Sequence, residues 1–180
     1  WKIIFWNMNN ASTFREELVN NIFYRLDENL RMIRIALAQI TEEEIWLKPN
    51  PTLNSIGNLI LHLCGNLTQY GISSLSGASD DRVRDLEFST ESGLLKQELL
   101  DKLETTVNQV KATIIQVSDE RLIQIKEVQG YQFSGIGNAI HLVEHFSYHT
   151  GQIAFWVKML KSKDLGFYSN VDLNKRNKKE

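Results

Sequence analysis

Residues 141 to 152 read HLVEHFSYHTGQ and contain three of the four histidines in the chain. Histidine at every fourth position climbs one side of a helix, so His141, His145 and His149 form a ladder of imidazoles, the side chain best suited to borderline divalent metals. With a rise of about 1.5 Å per residue, the outer two stand about 12 Å apart along the axis, whereas a Zn–N bond is only about 2.0–2.1 Å. One ion can therefore take two of the three, and His145 belongs to either pair. At about 100° per residue, His149, Trp156, Leu142, Leu160 and Ile153 fall within about 80° of His145 on an inward arc, while His141 falls at its margin beside Tyr148 and Phe155. That arc favours His145 with His149. The fourth histidine, His62, lies on a polar stripe of Ser55, Asn58, Asn66, Gln69 and Ser73, beside an apolar side of Ile56, Leu59, Leu63, Leu67 and Tyr70. Such a stripe suits a helix lining a bundle cavity. His62, His145 and His149 would then make a three-nitrogen metal site with positions left open for water or substrate. The competing reading of the same spacing is a set of hydrogen-bonded core histidines that hold no ion.

Missing motifs narrow the chemistry. HFSYH lacks the glutamate of H-E-x-x-H, which disfavours a zincin protease, and no Glu-x-x-His pair is present for a di-iron carboxylate bundle. Cys64 projects about 200° from His62 on the same helix, so its expected role is packing rather than catalysis or ligation. Glu144 lies about 100° from His145 and is poorly placed as a general base. No phosphate-binding loop is visible.

The elements that must carry these residues follow from periodicity. A first helix is expected over about residues 12–40, with Ser12 as N-cap and an apolar series Phe14, Leu18, Ile22, Leu26, Leu30, Ile33, Leu37. TEEEIWLKPNP reads as a helical turn from Thr41, stopped by Pro49 and Pro51, the only prolines. The second helix starts at Asn54 or Ser55 and ends near Gly77, and GASDDRVRD follows as loop. A third, from about Ser92 to Val117, carries Leu95, Leu99, Leu103, Val107, Val110 and Ile114 on one stripe. LIQIKEVQGYQF is expected to form a small hairpin around Gln-Gly. The last helix runs from about Gly135 to Lys161 with the ladder on it. Four long amphipathic segments make an all-α four-helix bundle. SIGNLILHL and GIGNAIHLV echo each other weakly at the starts of the second and fourth helices.

The totals agree with one domain: 180 residues, 42% hydrophobic and 23% charged. A net charge of -2 gives no electrostatic case for nucleic acid or an anionic membrane as partner. A single cysteine permits no internal disulfide, and a cytoplasmic location is the expectation. WKIIFWNMNN is too short for a membrane span and lacks a signal cleavage site. The expected organisation is an extended or added lead-in over residues 1–11, a bundle domain over 12–168 and a polar basic tail over 169–180.

Together, IWLKPNP, NSIGNLILHLCGNLTQY and HLVEHFSYHTGQIAFW resemble the DinB-like superfamily over nearly the whole chain to about Leu160. The resemblance implies an up-down-down-up four-helix bundle with a divalent metal, often nickel or zinc, on three histidines. Carried over position by position, these are His62, His145 and His149, with His141 outside the ligand set and Gln152 near the site. It further implies a homodimer. Some relatives are S-transferases or isomerases acting with low-molecular-weight thiols, so the expected partners are a small thiol and an electrophile, with Asn66 or Gln69 orienting the substrate. A bound cation lowers a thiol's pKa, which suits a protein with no cysteine at its site. Two other classes fit the same histidines: a hydrolase whose metal activates water, and a non-enzymatic metal-binding stress-response protein.

Overall fold

Apolar residues recurring every three or four positions build four long helices, and short polar caps decide where each begins. The computed structural model describes residues 13–176. Helix α1 (Phe14–Leu37) starts at Thr13, whose hydroxyl accepts from the Glu16 amide while the Glu16 carboxylate accepts from the Thr13 N–H. This reciprocal cap fixes the first turn one residue later than expected, and Ser12 lies outside the described residues. The helix also ends at Leu37 rather than near residue 40. Thr41 is needed in extended conformation to cap α2 (Glu42–Ile45) through Glu44, so the chain must leave α1 first.

Helix α3 (Ile56–Asn66) begins at Ser55 in a box with Asn58 and continues without a break through a π-helical segment (Leu67–Ser73) into α4 (Ser74–Ser76). Gly77 ends it in the left-handed region. The stretch expected as loop runs into α5 (Arg84–Ser89), which takes up its last two residues, Arg84 and Asp85. Helix α6 (Lys96–Gln116) starts four residues later than the sequence implied. Gly93 at φ +98 breaks the chain direction, and Leu95, with its N–H on the Glu98 carboxylate, sits outside the apolar stripe and is exposed. After α7 (Asp119–Ile123), strands β1 (Ile125–Val128) and β2 (Tyr131–Ser134) pair antiparallel around Gln129 and Gly130, both at positive φ. Helix α8 (Gly135–Lys161) has the bounds read from the sequence, with Ser134 as its N-cap.

Side-chain partners fix the directions. Arg15 reaches the Val117 carbonyl and Arg34 reaches Glu104, so α1 and α6 run antiparallel. His62 meets His145, Asn66 meets His141 and Asn138 meets Ser74, so α3–α4 and α8 are also antiparallel. Cys64 lines a cleft with Thr106, and Leu75 lines another with Thr113, which makes α3 and α6 parallel. The bundle is therefore up-down-down-up, and the fold is all-α apart from the hairpin. Its core contains fully buried Leu26, Ile33, Leu63, Leu67, Leu103, Val107, Leu142, Phe146 and Ile153. Each such side chain contributes about 1.5–3 kcal/mol relative to exposure, enough for the bundle to hold polar residues in one of its seams. Among the described residues, no helix is long and apolar enough to cross a membrane.

Candidate metal centre

That seam lies between α3 and α8. His145 and His149 project from successive turns of α8 and His62 faces them from α3; the Nε2 atoms of His62 and His145 are 2.9 Å apart. The ring centres of His62 lie 5.0 Å from His145 and 4.9 Å from His149, and those of His145 and His149 lie 4.5 Å apart. One nitrogen from each ring falls in a group whose members are all within 4.8 Å of one another. His62 and His149 are buried and His145 is partly so.

The outward nitrogens are held by other side chains. His62 Nδ1 is 2.8 Å from Glu87 Oε2, and Arg82 grips the same carboxylate with Nε to Oε1 at 2.7 Å and Nη2 to Oε2 at 2.8 Å. Because an ionised carboxylate can only accept, the His62 proton belongs on Nδ1 and the Nε2 lone pair faces the other histidines. Burial pushes the Glu87 carboxyl upward, but the hydrogen bonds from Arg82 and His62 outweigh it and leave its pKa below the ordinary value. On the other side, His149 Nδ1 donates to Gln152 Oε1 at 2.7 Å, which turns its Nε2 inward as a lone pair. Burial, then the neighbouring rings of His149 and His62, hold His145 down at about 3; burial likewise lowers His149. Both are neutral at pH 7.

This donor set fits a divalent metal. One imidazole nitrogen from each of the three converges on a single point of the seam, and two of the rings have the outer hydrogen bond that metal-binding histidines carry. With the His62 proton on Nδ1, His145 Nε2–H donates to the His62 Nε2 lone pair at 2.9 Å, and a shift of the His145 tautomer frees both nitrogens for a cation.

The polar stripe of α3 does different work from the cavity lining expected of it. Asn58 donates to the carbonyls of Glu87 and Thr90, Gln69 bonds Asp80 and Arg82, and Ser73 donates to the Ser79 carbonyl. Residues 79–90 thus lie over the stripe and satisfy Asn58, Gln69 and Ser73. Gln69, a candidate for orienting substrate, is engaged by that segment. Asn66, the other, is buried with Nδ2 3.3 Å from His141 Nε2 and Oδ1 without a partner among the described residues. His141 stands off the group of three: its ring packs 4.1 Å from Tyr70 and 5.4 Å from His145. The Tyr70 hydroxyl in turn donates to Gln129 Oε1 in the hairpin turn. Cys64 is buried, with its thiol pushed up to about 12 by desolvation, as suits a packing residue. Glu144 is exposed.

Arg82 and Glu87 were not visible in the sequence. They lie 20 and 25 residues from His62 in a stretch whose charges follow no helical period, and only the opposite signs of the two residues hint at a pair.

A family model described as "Protein of unknown function (DUF1572)" matches residues 13–171. No curated protein matches the chain. Among solved structures, a conserved protein from Enterococcus faecalis is similar at a TM-score of 0.68 and 19% identity, covering 85% of this chain and 100% of its own. A DinB-like protein from Bacillus cereus aligns at 0.65 and 14% identity over 81% of this chain and 92% of its own. Another, from Bacillus subtilis, aligns at 0.60 and 17% identity over 79% and 92%.

Proposed function

The chain belongs to the DUF1572 family, a DinB-like family, and on that premise we propose that it is a divalent-metal-dependent S-transferase that uses a small-molecule thiol. His62, His145 and His149 hold the ion, for which zinc and nickel are the candidates that imidazole ligands suit. When bound, such a cation supplies Lewis acidity that keeps a thiol ionised at neutral pH. The observation that carries the reading is the convergence of three imidazole nitrogens whose far sides, at His62 and His149, are already engaged by Glu87 and Gln152. The thiolate must come from outside, since the one cysteine is buried and strongly protonated. Activation of water by a protein base is less well supported: the Glu87 oxygens are both taken, by Arg82 and His62.

Metal analysis of the purified protein and of His62→Ala and His149→Ala tests the site. The expected result is metal in the parent and loss of most of it in each variant; undiminished metal in both would end the ligand assignment. Incubation of the loaded protein with a panel of thiols and monochlorobimane tests the reaction. Conjugation at the uncatalysed rate, with turnover of ester or amide substrates, would replace transfer by hydrolysis.

A further inference from the structure

The Arg82–Glu87 pair is a costly feature for a surface segment to carry. Both side chains are almost fully withdrawn from water, 4% and 10% exposed, and burial of such charges is unfavourable unless their geometry and partners are good. Residues 79–90 have other anchors on the bundle. Asn58 already ties down two carbonyls of the segment and Ser73 a third. The Glu87 carboxylate instead reaches past these contacts to His62. The helix keeps that path clear: a Cβ on Gly65 would stand 1.9 Å from Glu87 Oε1 and 2.8 Å from Arg82 Nε.

Resting on the metal reading above, we propose that Glu87 is the positioning residue of the centre, acting through His62, with Arg82 holding it in place. Glu87 fixes three properties of His62 at once. It sets the proton on Nδ1, it orients the ring toward His145, and its negative charge makes the inward nitrogen a stronger donor to a cation. Arg82 contributes by gripping both oxygens, so that the carboxylate cannot rotate away, and by donating from Nη1 to the Gln69 side-chain Oε1 at 2.8 Å. The affinity of the site is thereby set by a segment that contributes no ligand. Metal occupancy and the seating of residues 79–90 become linked, because each stabilises the state the other needs.

Cobalt(II) is a suitable probe, read by chelator competition and by its visible absorption, which reports the ligand field independently of any activity. Glu87→Gln removes the charge at nearly constant volume and is expected to weaken Co(II) binding by about 10- to 100-fold and to shift the spectrum. Ser73→Ala removes an anchor of the same segment without touching His62, and should leave affinity within about twofold and the spectrum unchanged, being outside the histidine's hydrogen-bond partners. Glu87→Asp retains a charge for Arg82 but withdraws it from His62 by one methylene; it should also weaken binding, and serves if the glutamine variant does not fold. Wild-type affinity in the folded glutamine or aspartate variant, or an equal loss in Ser73→Ala, would overturn the positioning role. Co(II) binding that disappears in His62→Ala but is unmoved by either Glu87 change would overturn this inference alone. Absence of Co(II) binding in the parent, or binding that survives His62→Ala, would overturn the metal reading with it.

Discussion

The two halves of the histidine cluster are built in different ways. His145 and His149 are four residues apart on α8, so a single helix sets their spacing. His62 owes its pose to α3, to the chain around Arg82 and to α5, which must fold back onto α3 to reach it. A pair set by one helix tolerates change elsewhere, whereas a residue set by three segments is exposed to change in any of them. The difference places the sensitive controls of the site on its His62 side.

The largest expected effect tests that asymmetry directly. Arg82→Ala leaves Glu87 buried beside His62 without its cation and should lower unfolding free energy by about 3 kcal/mol, the lower end for a broken buried pair. Urea unfolding of the metal-free protein measures it, and a change below about 0.5 kcal/mol, the size of an ordinary surface substitution, would make the two halves equally robust. Acid probes the α8 half. His145 is held at about 3 and His149 below its ordinary value, while in the unfolded chain each titrates near about 6.5. Their contribution to stability is therefore complete above about pH 6.5 and is lost as the pH falls below it, because the unfolded chain takes up protons that the folded one resists. The Tm of chelator-treated protein should decline from pH 7 to pH 5, and His145→Ala should flatten that decline; an unchanged slope would contradict the assignment. The smallest effect is expected at Gln152, which is exposed and holds His149 by one neutral hydrogen bond. Gln152→Ala should reduce metal affinity by no more than about 10-fold, the low end for outer partners of metal-binding histidines. A loss matching that of Glu87→Gln in the same competition assay would erase the contrast.

The same contrast explains what could be read before the structure. Helix α8 was legible from end to end because its period and its ladder are local properties. His62 was legible as the centre of a polar stripe, which is local too. The purpose of that stripe was not: Asn58, Gln69 and Ser73 are satisfied by residues 79–90, and that segment carries no period to announce where it folds. The π-helical stretch from Leu67 to Ser73 also left no trace, since the Ser74 N–H reaching Gln69 instead of Tyr70 is a choice made by packing. At the ends of helices, single residues decided. Thr13 displaced Ser12 as the cap because Glu16 stands three residues after it, and Gly93 delayed α6.

Gln129 is a point of frustration in an otherwise consistent chain. A two-residue hairpin turn with both residues at positive φ is easiest to make with asparagine or glycine first, and a glutamine in the left-handed region costs about 1–2 kcal/mol. The local preference is overruled by what the side chain does, since its Oε1 holds the Tyr70 hydroxyl, and the ring of His141 packs tilted against Tyr70. A better turn would make a more stable hairpin that has let go of the helix beneath it. The hairpin is thus a strained clasp rather than a free connector, and the ladder histidine left outside the candidate metal group lies directly under its hold.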